Sequence, residues 1–146
     1  MTTLSAQLVG SWRLRSREDR DRDGKLLVDP FLGPNPIGFA VFDDAGGFAA
    51  QLMKRDRDPG APPDARNASN NNTGGVAGYD AYFGTYSVDE ATGLVTQTLS
   101  GAISAADVGR VISRWMHVEG DVLTIKVETS TVEGVDVTRT LIWERA

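Results

Sequence analysis

Apolar residues alternate with polar ones along most of this chain, with the two-residue period of a β-strand that buries one face. The alternating runs are short, and Gly, Asp and Asn, which are residues of tight turns, separate them. The pattern predicts eight strands, over Val9–Glu18, Pro36–Asp43, Gly47–Lys54, Ala81–Val88, Leu94–Gly101, Arg110–Val118, Val122–Thr129 and Val135–Glu144.

Short connections join most of these strands. Three of them have the composition of hairpin loops: Asp43–Gly47, Asp89–Gly93 and Glu119–Asp121. Strands joined in this way are antiparallel neighbours, and eight of them can close a barrel without exposed edges. Helix is predicted only as single turns, at Thr3–Gln7 and at Ser104–Asp107. The sequence therefore predicts an all-β, eight-stranded up-and-down antiparallel β-barrel with a short N-terminal helical turn.

The totals narrow the functional classes. A chain of 146 residues fits one domain, 1–146, and the net charge of −5 with interspersed basic residues disfavours nucleic acid. No apolar run approaches the length of a membrane span, and the N-terminus lacks the pattern of a secretory signal, so we expect a cytoplasmic protein without a membrane partner. A single histidine, the absence of cysteine and the absence of a cofactor motif predict no metal and no cofactor.

One long segment, Arg55–Gly78, interrupts the strand pattern. It is rich in Pro, Asn, Asp and Gly. A connection of this length inside a compact domain is either a functional lid or a disordered excursion. The sequence leaves both open, and a lid over the barrel mouth is one of the two expectations.

Several motifs, in the same order along the chain, resemble the lipocalin-like domain family of bacterial and fungal barrels in the calycin superfamily. The Gly-x-Trp of Gly10 and Trp12 opens the first strand, and the other matching stretches are Gly33–Gly38, Gln51–Arg57, Tyr82–Asp89 and Val137–Arg145. The resemblance implies a lipocalin-like barrel. It also implies that the Trp12 indole plugs the closed end, with Arg139 or Arg145 packed across it in a structural role.

At two positions this sequence departs from the pattern of such relatives, and both departures weaken an assignment of their function to this chain. Fatty-acid-binding proteins hold a carboxylate with an Arg two residues before an aromatic in the last strand, and here those positions are Leu141 and Trp143. At the position of Gln97 the resemblance leads us to expect a histidine, and a Gln cannot shuttle protons. Both departures count against fatty-acid binding and against acid–base chemistry at these positions.

Strand alternation selects Arg114 as the most informative residue. It shares a strand face with Met116 and Val118, which we expect inside the barrel, whereas the single His117 then lies outside. A buried Arg needs an anion or a hydrogen-bond partner. That partner is a ligand carboxylate, phenolate or carbonyl, or alternatively an internal Asp or Glu, and the sequence does not choose between them.

Other residues complete the predicted ligand-binding face. Tyr82 and Tyr86 flank Gly84 on one strand face, where a glycine leaves room beside two hydroxyl-bearing rings. Further polar and apolar pairs share faces of neighbouring strands, as small-molecule pockets require. The predicted ligand-binding residues are Arg114, Tyr82, Tyr86, Gln51, Met53, Gln97, Leu99 and Met116.

Three functions remain open. The first is binding of a small hydrophobic or aromatic molecule inside the barrel. The second is a cofactor-free isomerase, cyclase or dehydratase acting on a natural-product-like substrate in the same cavity, with Tyr86, Tyr82 and Arg114 as catalytic residues. The third, a structural or protein-interaction domain, is favoured if side chains fill the interior. A homodimer is the default alternative to a monomer.

Overall fold

A computed structural model of the protein describes residues 2–60, 66–67, 73–131 and 133–146. One helical turn, α1 (Leu4–Leu8), precedes the strands, and a 3-10 turn (Ala105–Asp107) lies between two of them. The strands are β1 (Gly10–Arg20), β2 (Leu26–Leu27), β3 (Ile37–Phe42), β4 (Gly47–Met53), β5 (Arg66–Asn67), β6 (Gly75–Val76), β7 (Tyr79–Asp89), β8 (Leu94–Ala102), β9 (Val111–Glu119), β10 (Val122–Ser130) and β11 (Asp136–Arg145).

The eight long strands form a closed antiparallel barrel. Each pairs with its neighbour in the order β1, β3, β4, β7, β8, β9, β10 and β11, and β11 returns to β1. Closure leaves no long strand with an unpaired edge. The predicted eight-stranded barrel is therefore confirmed, as are the helical turns at Thr3–Gln7 and Ser104–Asp107. No helix among the described residues is long and apolar enough to cross a bilayer.

The start of β1 and the end of β11 close one end of the barrel. Trp12 is fully buried there, its indole Nε1 donates to the Leu8 carbonyl at 2.9 Å, and the Arg145 guanidinium lies 4.2 Å from the ring centroid. Arg145 also donates to the carbonyls of Val9 and Gln7. α1 begins at the Thr3 cap, whose hydroxyl accepts from the Ala6 amide. This end is consequently filled and hydrogen-bonded.

A β-bulge at Arg15 changes which side chains β1 buries. Leu14 pairs with Trp143 but Ser16 pairs with Ile142, so one extra residue enters the first strand. Before the bulge the inward residues are Trp12 and Leu14. Because an extra residue reverses the alternation, Arg17 and the fully buried Asp19 become inward after it.

The segment Arg55–Gly78 lies only partly within the described residues. Residues 61–65 and 68–72 fall outside them, so the expectation of a lid stays a prediction. In the described part, Arg66–Asn67 pairs with Gly75–Val76, and Thr73 is buried. The segment thus contributes at least one side chain to the barrel interior.

Candidate functional site

A cavity lies inside the barrel toward the end opposite Trp12. Its volume is about 60 Å³, so side chains fill most of the interior. Apolar side chains form its floor and walls: Phe31, Leu32, Ala40, Phe42, Ala50, Leu52, Leu123, Ile125, Leu141 and Trp143. Polar side chains line the rest: Arg17, Asp29, Thr73, Asp80, Tyr82, Gln97, Arg114 and Arg139. Loops before β3 and before β6 supply Asp29 and Thr73.

Two buried ion pairs border this cavity. Arg139 donates from Nε and Nη2 to the two carboxylate oxygens of Asp19, at 2.7 and 2.9 Å, across register partners of β11 and β1. Arg17 Nη1 donates to Asp29 at 2.9 Å. Burial is the largest influence on Arg17 and lowers its pKa, while Asp29 and Asp19 oppose the shift. Bidentate or close geometry of this kind compensates the cost of burying charge.

Three other buried polar atoms on the cavity wall are unsatisfied. Nη1 of Arg114, Oδ1 of Asp80 and Nε1 of Trp143 have no hydrogen-bond partner in the part of the chain that the structure describes. A buried polar atom without a partner costs about 1–3 kcal/mol of stability. Native proteins keep few such atoms, so three beside one cavity mark this wall as a place where a water molecule or a ligand group could bind.

Asp80 is the cavity-lining carboxyl group whose pKa is shifted by its surroundings. Burial raises its pKa, and the nearby Asp107 carboxylate acts in the same direction. The hydrogen bond from the Thr73 hydroxyl, the Ala81 amide and the Arg114 guanidinium lower it. The net direction is upward, which favours the protonated carboxylic acid relative to an exposed Asp.

Tyr82 places a phenol beside the same groups. Its ring packs edge-on against Phe48, with centroids 6.1 Å apart. Burial raises the pKa of its hydroxyl, and the positive charge of Arg114 partly offsets this. The hydroxyl therefore stays protonated at neutral pH and can donate a hydrogen bond.

The structure brings three of the predicted site residues together at this cavity: Arg114, Tyr82 and Gln97. Arg114 faces inward with Met116 and Val118, as its strand alternation predicted. Leu99 and Met116 are also buried inside the barrel, but they pack in the core and do not line this cavity. His117 is outside, with a side chain 74% exposed, as expected.

The remaining predicted residues lie elsewhere. Gln51 is exposed on the outer face of β4, where its Oε1 accepts from the Tyr79 hydroxyl at 2.6 Å. Met53 shares that outer face, because Ala50 and Leu52 are the inward residues of β4. The Met53 sulfur contacts Arg57. The alternation of this strand was assigned with the wrong phase.

Tyr86 and Gly84 also need correction. The Tyr86 ring packs edge-on against Phe42 within the core, but its hydroxyl donates to the Asp43 carbonyl at 2.7 Å, away from the cavity. At Gly84 a Cβ atom would lie 1.8 Å from the Thr98 carbonyl oxygen. Close approach of β8 therefore requires this glycine, and it does not open room for a ligand.

Sequence reasoning missed most of the charged cavity residues. The inward position of Arg17 could not be predicted from alternation, because the bulge at Arg15 reverses the alternation. Asp80 precedes the predicted strand by one residue, although it shares the inward parity of Tyr82. Arg139 and Arg145 were the two candidates for the position across Trp12, and Arg145 occupies it. Arg139 has the inward parity of Leu141 and Trp143 instead. Extending both alternations would have found Asp80 and Arg139.

Gly38 of β3 makes room for the indole of Trp143 inside the barrel. A Cβ atom at Gly38 would lie 3.1 Å from Leu14 Cβ and 3.3 Å from Trp143 Cη2, so the missing side chain lets the indole fit. Within the described residues no three Asp, Glu or His side chains cluster as metal ligands would. The site is thus an arrangement of guanidinium, carboxyl, phenol and indole groups over an apolar floor.

Comparison with known proteins identifies the family. The profile of the family described as the lipocalin-like domain matches residues 9–146. No curated protein matches the chain. The crystal structure of Rv2717c from M. tuberculosis is similar to it, with 15% sequence identity, 97% of this chain and 94% of that chain covered, and a TM-score of 0.39. Since the profile spans nearly the whole chain, this protein belongs to the lipocalin-like domain family, whose barrel is a ligand-binding fold.

Proposed function

We propose that the protein binds a small, partly apolar molecule in the cavity, with a hydrogen-bond-accepting group of the ligand against Arg114. The observation that carries this proposal is Nη1 of Arg114, a buried cationic donor without a partner among the described residues. Trp143 Nε1 is a second donor of the same kind on the same wall. An accepting group between them would satisfy donors that otherwise destabilise the fold.

The cavity volume limits the part of the ligand that the barrel encloses. An engineered apolar cavity of about 150 Å³ holds one benzene, and sites for drug-sized ligands measure roughly 300–1,000 Å³. About 60 Å³ therefore accommodates only a few non-hydrogen atoms. We propose that these are the polar head of the ligand and its first carbons. A longer apolar tail would have to extend beyond the enclosed volume.

A thermal-shift screen tests the proposal. Its panel holds short aliphatic and aromatic acids, phenols, ketones, alcohols and amides. Selective binding to the folded state raises Tm, by an amount that grows with ligand concentration. We expect hits among compounds with an accepting group, and we expect the same compounds to leave the Tm of Arg114→Met unchanged. No hit in the panel would overturn the proposal and favour a structural or interaction domain.

A cofactor-free isomerase, cyclase or dehydratase is the second candidate function. The observation that favours it is Tyr82, a residue that lines the cavity with Arg114 and Asp80 and whose hydroxyl is protonated. Together these groups could donate a proton and stabilise a developing oxyanion. Tyr86 is not included, since its hydroxyl bonds to Asp43. Incubation of each binding ligand with the protein, followed by mass spectrometry and NMR, should show product that Tyr82→Phe abolishes; unchanged ligand supports the binding function alone.

A further inference from the structure

The charged groups at the cavity form two complete pairs and two residues left over. Arg17 pairs with Asp29, and Arg139 pairs with Asp19. Arg114 and Asp80 remain, and each has one buried atom without a hydrogen-bond partner among the described residues. The pairing is therefore incomplete at one cation and one carboxyl group that line the same cavity.

Arg114 and Asp80 do not satisfy each other. Arg114 is near enough for its charge to lower the pKa of Asp80, yet Nη1 and Oδ1 both lack a hydrogen-bond partner. No ion pair joins Arg114 and Asp80, although both line the same small cavity. A bound group that lies between them could therefore contact both.

The chemistry of the two atoms restricts the bridging group. Toward Arg114 it must present an acceptor, and a negative charge there would supply the missing counter-ion. Toward Asp80 it must form a hydrogen bond with a carboxyl oxygen. Two carboxyl groups that share one proton meet both requirements, because one accepts from the cation while the proton joins the pair.

We propose that the ligand is a small monocarboxylate whose carboxyl group bridges Arg114 and Asp80, with one proton held between the ligand and Asp80. This inference rests on the proposed binding function and names its ligand class. No covalent bond forms or breaks. The only change in composition on binding is the proton, which comes from solvent when both carboxyl groups are ionised beforehand.

Burial of Asp80 makes that proton uptake favourable, since desolvation already raises its pKa. The titratable and charged groups around it come from several elements. Asp107 lies after β8 and opposes ionisation, and Arg114 on β9 favours it. The other ionisable groups at the cavity are Arg17, Asp29, Tyr82 and Arg139. Arg17 is ion-paired with Asp29, and Arg139 is ion-paired with Asp19.

Isothermal titration calorimetry with acetate, propionate and benzoate, each matched to its carboxamide, tests the inference on the full chain. Titration in two buffers with different ionisation enthalpies gives the number of protons taken up. At a pH above the raised pKa of Asp80 we expect about one proton per carboxylate bound. The affinity should fall about tenfold per pH unit in that range, as linkage requires.

Asp80→Asn is the key variant, because an Asn amide still donates to a carboxylate but carries no titrating proton. It should bind the carboxylate with proton uptake near zero and with no fall in affinity at high pH. Asp136→Asn is the matched control, since Asp136 is exposed and pairs with Arg22 on the surface. That variant should retain the proton uptake of the wild type.

Three results would overturn the inference: carboxylate binding without proton uptake, equal uptake in Asp80→Asn, or carboxamides that bind as tightly as their acids at every pH. If phenols, ketones or amides bind while carboxylates do not, the ligand class is wrong and the proposed function stands. If no member of the wider panel binds, both fail.

Discussion

Each end of the barrel has an arginine and a tryptophan, but the two ends differ in whether the polar atoms of these side chains are satisfied. At the closed end Arg145 lies over Trp12, and the indole Nε1 and both guanidinium Nη atoms have carbonyl partners. At the cavity end Arg114 Nη1 and Trp143 Nε1 have none among the described residues. The first end serves stability, and under the proposed function a ligand would relieve the energetic cost that the second end retains.

The largest expected effect is at the closed end. Trp12→Ala should lower the free energy of unfolding by about 4 kcal/mol, because it leaves a large void in a fully buried site. Urea denaturation followed by circular dichroism measures it. Trp115→Ala is the control, since Trp115 is 49% exposed on the outer face and should lose under about 1 kcal/mol. Equal losses of unfolding free energy in Trp12→Ala and Trp115→Ala would contradict a particular contribution of the closed end to stability.

The next effect concerns the ion pair at the other end. Asp19→Ala should cost about 3 kcal/mol, because it removes one partner of a buried bidentate pair. Arg22→Ala, which breaks the exposed pair with Asp136, should change stability by less than about 1 kcal/mol. The same denaturation experiment compares them. Similar values would mean that burial does not distinguish the cavity-end pair from a surface one.

Arginine to methionine at both ends gives the sharpest comparison. Arg145→Met should lower the free energy of unfolding by about 2 kcal/mol, through loss of the cation–π contact and two hydrogen bonds. Without ligand, Arg114→Met should instead raise it by about 1 kcal/mol, since an incompletely satisfied buried cation is replaced by an apolar side chain. Thermal and urea unfolding should show opposite signs; a loss in both variants would contradict the distinction.

The smallest expected effect is a pH dependence at Asp80. Its pKa in the folded state is raised above the ordinary 3.8, so the folded protein holds this proton longer than the unfolded chain. The stability contributed by Asp80 is therefore complete below pH 3.8 and is lost as pH rises through the folded-state value. Asp80→Asn should become progressively more stable than wild type across that window, then keep a constant advantage. Urea midpoints at several pH values measure the difference, and Asp136→Asn should show no such drift.

Much of the fold was predictable because barrel strands repeat one simple pattern. Alternation identified all eight strands, and it placed Arg114 inside and His117 outside. The closed end followed from resemblance through Trp12, with Arg145 as one of two candidates for its partner. These features depend on local periodicity, which a single sequence contains.

The cavity was less predictable because local irregularities decide it. The bulge at Arg15 turns Arg17 inward, and the residues around Arg15 contain no sequence signal for a bulge. In β4 both parities carry apolar residues, so Gln51 and Met53 were assigned to the wrong face. Tyr86 was placed on the correct face, but its hydroxyl partner, the Asp43 carbonyl, is distant in sequence. Long-range pairing of this kind has no signature in one chain.

The bulge at Arg15 also bears on how insertions and deletions act on the interior of such a barrel. Deleting that one residue would restore strict alternation and leave Arg17 and Asp19 on the inner face, because Ser16 would then face outward after Leu14. Straightening the strand without a deletion would instead turn Ser16 and Glu18 inward, and so exchange a cation and an anion for a hydroxyl and a relocated acid. In this barrel, one residue gained within a strand thus leaves the interior chemistry unchanged where a bulge absorbs it, and an alignment scored on substitutions alone would not reveal this.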